Sequence, residues 1–178
     1  MKLSFFTILA VGVISSLPVI ATSQSTTALS IAAGPSIPIA RFKDSQASGF
    51  AGAVGVVLGS DDTPFGLRID AGYDKLRART TSAAVGSGQR ITSGTANVLF
   101  TFPGTLAKPY LSAGLGEYGM KSDTTGAKTR TRFGFNFGSG ISFPLASKSA
   151  FLEARLHSIS QKNAKPLRYL QALFGILL

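Results

Sequence analysis

From residue 65 to residue 76 apolar and polar residues alternate, and no other feature of the chain constrains its fold as strongly. Phe65, Leu67, Ile69, Ala71 and Tyr73 fall on one face of an extended segment; Gly66, Arg68, Asp70, Gly72 and Asp74 fall on the other. A period of two is a strand signal with no helical competitor. The pattern recurs over residues 132–143, where Phe133, Phe135, Phe137, Ile141 and Phe143 oppose Arg132, Gly134, Asn136, Gly138, Gly140 and Ser142, with Ser139 the one polar intruder. Residues 91–102 set Ala96, Val98, Phe100 and Phe102 against Thr95, Asn97, Leu99 and Thr101. Residues 150–158 set Leu152, Ala154 and Leu156 against Glu153, Arg155 and His157, and residues 170–178 align Ala172, Phe174, Ile176 and Leu178. Softer versions span 28–40, 49–58 and 109–120. The sum is eight strands of about 9–12 residues, the length a tilted strand needs to cross a bilayer.

The connections carry a second pattern. Those at 59–64, 103–108 and 144–149 are short and contain proline, and two of them contain glycine. Those at 77–89 and 121–130 are longer; those at 41–48 and 160–168 are intermediate and polar. Short turns at one end and longer loops at the other are the asymmetry of an outer-membrane barrel, with both termini on the short-turn, periplasmic side.

Ahead of the strands, Met1-Lys2 precedes an apolar run over residues 3–14 that Ser15-Ser16-Leu17-Pro18 breaks. This reads as a secretory signal peptide, residues 1–21, with cleavage before Thr22. The competing reading, a retained membrane anchor, wants about 20 apolar residues, and Pro18 cuts the run short. The expected fold is therefore all-β: an eight-stranded antiparallel up-and-down transmembrane β-barrel over residues 22–178. The absence of cysteine excludes a disulfide scaffold, thiolate metal sites and thiol nucleophiles.

Which face meets solvent separates a membrane barrel from a soluble exported, lipocalin-like ligand-binding barrel. The polar faces here are rich in glycine and small polar residues. Glycine weakens a water-facing strand, but it suits the lining of an eight-stranded barrel, which is just wide enough for side chains to fill. The Phe, Leu, Ile and Val face then meets lipid. Arg68 and Asp70 lie three and five residues after the start of strand three; Glu153 and Arg155 lie three and five after the start of strand seven. Those strands oppose each other in an eight-membered ring, so Arg68 is expected to face Glu153 and Asp70 to face Arg155 in a lumen plugged by polar side chains, because charges in a narrow lumen must be paired.

Residues 28–178 resemble the small outer-membrane β-barrel proteins of Gram-negative bacteria, of the OmpA-barrel and OmpX type. The resemblance rests on Ala33-Gly34-Pro35-Ser36, Lys108-Pro109-Tyr110-Leu111, Phe151-Leu152-Glu153-Ala154-Arg155 and the amphipathic last strand. It implies an outer-membrane location, lipid contact, a monomer, and periplasmic chaperones and the barrel-assembly machinery as partners in biogenesis. Such barrels usually end in an aromatic residue, whereas this sequence ends Phe174-Gly175-Ile176-Leu177-Leu178.

Enzymatic chemistry finds no support. The single histidine, His157, sits between Leu156 and Ser158 and reads as a rim residue beside Ser158 and Ser160. The lipid A deacylases among eight-stranded barrels use a His-x-Ser pair with a later Glu; here no acidic residue follows Glu153. Gly114-Leu115-Gly116 and Gly138-Ser139-Gly140 are too strand-like for phosphate loops. Asp61-Asp62 reads as a solvated turn, and no cofactor or metal is expected.

The net charge of +10 gathers in the long loops and at the strand ends that lead into them. Arg41, Lys43, Lys75, Arg77, Arg79, Arg90, Lys121, Lys128, Arg130, Arg132, Lys162, Lys165 and Arg168 lie at the outer rim and in its loops, against Asp44, Asp74 and Asp123. An exported barrel is a poor nucleic-acid binder. Its local polyanion is lipopolysaccharide, and Arg77 with Arg79, or Arg130 with Arg132, are placed to clamp a phosphate. The expected role is structural, adhesive or lipopolysaccharide-contacting. The rival readings are a small transport barrel and the soluble ligand-binding barrel.

Overall fold

The computed structural model describes residues 25–60, 62–81, 84, 85 and 87–178; the expected leader and Asp61 lie outside them. Eight long strands form the structure: β1 (Ser25–Ile39), β2 (Gln46–Ser60), β3 (Phe65–Ala78), β4 (Gln89–Thr101), β5 (Lys108–Ser122), β6 (Arg130–Leu145), β7 (Lys148–Gln161) and β8 (Ala164–Leu177). Each pairs antiparallel with the next, and β1 pairs with β8, so the sheet closes into an up-and-down barrel. A separate hairpin of Thr80–Thr81 and Ala84–Val85 stands in the connection between β3 and β4.

The strands are longer than the alternation alone indicates. At the long-loop end β3, β5 and β7 continue past the apolar band, where their outward residues become polar and the period-two contrast fades. The backbone ladder nevertheless persists. The polar segment 160–168, expected as an intermediate loop, is instead a tight turn at Lys162 and Asn163 between β7 and β8. Asn163 takes the left-handed φ of 60° that the turn needs and that asparagine tolerates better than most residues. The segment after β1 is a 3-10 turn, Ala40–Asp44, that folds Phe42 inward over the barrel mouth.

The outward face is the apolar one. Leu29, Ile31, Val54, Leu67, Ile69, Val98, Leu115, Phe135, Phe137, Leu152 and Phe174 are exposed, and exposed apolar area on this scale marks a non-aqueous neighbour. At the short-turn end Phe65, Phe100 and Phe102 form an edge-to-face aromatic cluster. Phe50 and Tyr73 pack together nearer the other rim. Aromatics at both borders of an apolar band are the girdles of a membrane barrel.

Inside, the buried side chains lie in layers. Ala32, Ala51, Leu99, Tyr110, Phe151 and Leu173 cluster toward the short-turn end. Phe42, Leu76, Ile91, Tyr118, Met120, Ile159 and Tyr169 cluster toward the other. Polar side chains lie between. Glycines make room for them: a Cβ on Gly138 would collide with Ser112 and Glu153, and one on Gly55 with Asp70 and Ser30.

Closure depends on the Gly34-Pro35 step. The β1–β8 ladder runs through Ala33↔Phe174 and resumes at Ser36↔Gln171, since Pro35 has no N–H to donate. A Cβ on Gly34 would fall on the carbonyl oxygen of Ala172 in β8. Gly34→Val is therefore expected to cost about 1–3 kcal/mol, the range for overpacking, and to lower the temperature at which the barrel loses its compact migration in an unheated detergent gel.

Candidate functional site

At mid-lumen the four charges from opposite strands meet. Arg68 of β3 makes a bidentate contact with Glu153 of β7, Nη1 donating to Oε2 at 2.9 Å and Nη2 to Oε1 at 2.8 Å. Arg155 Nη1 donates to Asp70 Oδ2 at 2.9 Å. Two same-strand contacts tie the pairs together: Arg68 Nε to Asp70 at 3.1 Å and Arg155 Nε to Glu153 at 2.9 Å. Residues two apart on a strand share a face, and each arginine reaches both its neighbour and the far wall. Tyr110 and Ser112 donate to Glu153 at 3.0 and 3.1 Å, and Asn97 donates to Asp70 at 3.1 Å. All four charged residues are buried, and their formal charges cancel.

A second polar layer lies toward the long-loop end. His157 is buried there rather than at the rim: β7 runs on to Gln161, so the ring projects inward, well inside the mouth. It stacks flat on Tyr169 with centroids 4.6 Å apart. Its Nδ1 lies 3.0 Å from the Tyr118 hydroxyl and its Nε2 lies 3.0 Å from Gln171 Oε1. Gln171 Nε2 donates to Asp74 Oδ1 at 2.9 Å, and Tyr169 donates to Asp74 Oδ2 at 3.3 Å. Because the Gln171 nitrogen serves Asp74, its oxygen accepts from His157, which fixes the proton on Nε2 and lets Nδ1 accept from Tyr118. Asp74, expected at the outer rim, thus belongs to the lumen. Its strand position two residues beyond Gly72 on the inward face sends it there. Ser158 is buried as well. No group of three His, Cys, Asp or Glu side chains among the described residues is placed to hold a metal.

The four rim arginines separate. Arg77 is exposed on the outward face of β3, its Nε donating to the Ser48 carbonyl at 2.8 Å. Arg79 follows, exposed, just past the strand end. Arg130 and Arg132 occupy the inward register of β6, the face that carries Asn136 and Gly138, and Arg132 is half-buried. The outward clamp therefore does not include them.

In their place the register builds a row that the one-dimensional sequence conceals. Lys75 of β3 lies directly opposite Arg90 of β4, and Arg90 lies directly opposite Lys121 of β5. All three are exposed on the outward face. Arg90 Nε donates to Asp123 Oδ1 at 2.6 Å, while Lys75 and Lys121 make no ion pair among the described residues. Lys75 stands two residues beyond Tyr73 on the same face, about 7 Å farther along the strand. Like charges directly across a sheet destabilise it; Asp123 offsets the central Arg90, and Lys75 and Lys121 on either side are left without an anion among the described residues.

Comparison with known proteins fits the fold and the exposed apolar face. Residues 6–169 match the model of the outer membrane protein beta-barrel domain. The chain belongs to that family. It is an outer-membrane β-barrel. The structure is similar to that of Neisserial surface protein A, with TM-score 0.67 and 18% identity, covering 86% of this chain and 97% of that one. It is also similar to the N-terminal β-barrel domain of Pseudomonas aeruginosa OprF, with TM-score 0.52 and 18% identity over 87% of this chain and 100% of that one. A third similar structure is Ail, the attachment invasion locus protein of Yersinia pestis, with TM-score 0.53 and 15% identity over 88% of this chain and 100% of that one. No curated protein matches the sequence.

Proposed function

We propose that this outer-membrane barrel is a monomeric, non-enzymatic anchor whose outward cationic row grips the phosphates of lipopolysaccharide, and whose lumen is plugged against solutes. The observation that carries the reading is the uninterrupted cross-strand row Lys75, Arg90 and Lys121 just beyond Tyr73. An aromatic girdle marks the interface of the bilayer, and the phosphates of the outer leaflet lie immediately beyond it. A cation near a charged lipid surface contributes about 1 kcal/mol, and a phosphate bridging two facing cations also relieves their repulsion. Arg77 extends the row by one residue pair on the same face. The reading of a plugged lumen is supported by the four-charge knot, whose formal charges cancel and whose members bond one another between two apolar layers. Ail has been crystallised with the heparin analogue sucrose octasulfate, a polyanion on a barrel of the same fold.

Binding of lipopolysaccharide to the immobilised barrel tests this. The triple variant Lys75→Ser, Arg90→Ser and Lys121→Ser is expected to bind at least tenfold more weakly. Arg77→Ser with Arg79→Ser is expected to have a smaller effect, and Arg130→Ser with Arg132→Ser almost none. The wild type is expected to discriminate against dephosphorylated lipopolysaccharide. Equal binding by the triple variant, or indifference to the phosphates, would overturn the proposal.

A further inference from the structure

The mouth of the barrel contains a cavity of about 780 Å³ that neither the plugged lumen nor the outward row uses. One wall is the β5–β6 loop, residues 126–129, running into Arg130; Gln89, Ser122 and Gln161 complete it. The floor is Met120 and Leu167, which rest on the apolar layer of Phe42, Leu76, Ile91 and Tyr118. The cavity is therefore open to the exterior and sealed from the lumen. Its only ionisable lining residues are Lys128 and Arg130, both exposed and both without an ion pair or hydrogen bond among the described residues.

Two further nitrogens lie behind this lining. Gln161 Nε2 is buried without an acceptor, and so is Arg132 Nε. Continuing the Gly134↔Ile159 register by two residues sets Arg132 opposite Gln161, so the orphaned nitrogens lie on adjacent strands at the same height. The lining therefore offers a ligand two cations, Lys128 and Arg130, and no carboxylate. Such a set suits a ligand group that accepts hydrogen bonds and carries negative charge. The Gln89 amide and the Ser122 and Thr129 hydroxyls are groups that pair with ligand hydroxyls, and the volume lies within the range of small-molecule sites.

We infer that this vestibule binds a small phosphorylated solute with a hydroxylated body, of the size of a sugar phosphate, with its phosphate on Lys128 and Arg130. The sealed floor means that the solute is held at the surface and released outward. The site is separate from the outward lipopolysaccharide row: its residues lie on the inner side of the wall and in the loop above.

Calorimetric titration of the full barrel in amine-oxide micelles tests this, with glucose 6-phosphate as the probe and glucose and octanoate as comparators. Saturable binding of glucose 6-phosphate is expected, with no heat from glucose and a weaker response to octanoate. Lys128→Ala with Arg130→Ala is expected to weaken binding at least tenfold. Compact migration on an unheated gel verifies that these variants are folded, and Lys128→Gln with Arg130→Gln serves if the alanine pair is not. The Lys75, Arg90, Lys121 triple variant is expected to bind as the wild type does. Absence of saturable binding by the wild type, binding unaffected by the Lys128 and Arg130 changes, its loss in the triple variant, or a preference for octanoate would each overturn the inference.

Discussion

Glu153→Ala is expected to remove about 3–5 kcal/mol of stability, the range for breaking a buried ion pair from one side. Glu153 accepts from Arg68, Arg155, Tyr110 and Ser112, so its removal leaves two buried guanidinium groups sharing Asp70 alone. Urea unfolding of the barrel in lipid vesicles measures the loss. Because one carboxylate serves both arginines, the effects are expected to be strongly non-additive: Arg68→Ala in the Glu153→Ala background should cost little more, and could recover stability by deleting an unpaired charge. Additive losses would mean that the four residues are not one network. Replacing all four with apolar side chains of similar volume is expected to be far less harmful than the single change, since the cost lies in stranding charge rather than in losing attraction.

Leu115→Arg is the second large expected effect. Leu115 is the middle residue of β5 and is 67% exposed on the outward face. On a soluble barrel an arginine there would be solvated and close to neutral. In a membrane barrel it sits at the bilayer midplane, where a charge costs about 2–4 kcal/mol. Unfolding in vesicles is expected to report that loss, while the same substitution at Leu106 in the short turn between β4 and β5, 81% exposed, is expected to report almost none. Equal, small effects at both positions would place water rather than lipid against the band.

The barrel and the opposed charges were legible because both depend on counting. Period-two alternation gives the strands, eight strands close a ring, and equal offsets from the starts of β3 and β7 place Arg68, Asp70, Glu153 and Arg155 at one level. The same-strand contacts that tie those four into a knot were not legible, since they depend on how far each guanidinium can reach within a filled lumen. His157 was misplaced at the rim because its polar neighbours resemble a strand end; β7 continues past them, so the ring is core. Asp74 was misplaced for the same reason, with β3 running four residues farther to Ala78. The row of Lys75, Arg90 and Lys121 was hidden because it depends on the register of three strands, which turn lengths and strand extension set together. Arg130 and Arg132 share a strand face with each other but point inward, a distinction that parity from Asn136 could have supplied.

The proposed plugging of the lumen leaves the outer surface and the mouth as the working parts. Single-channel recording of the purified barrel in planar bilayers tests that claim most directly. The mutually bonded Arg68, Asp70, Glu153 and Arg155, with an apolar layer on either side, predict silence at all applied voltages. A steady, reproducible open conductance would contradict it and return the barrel to transport.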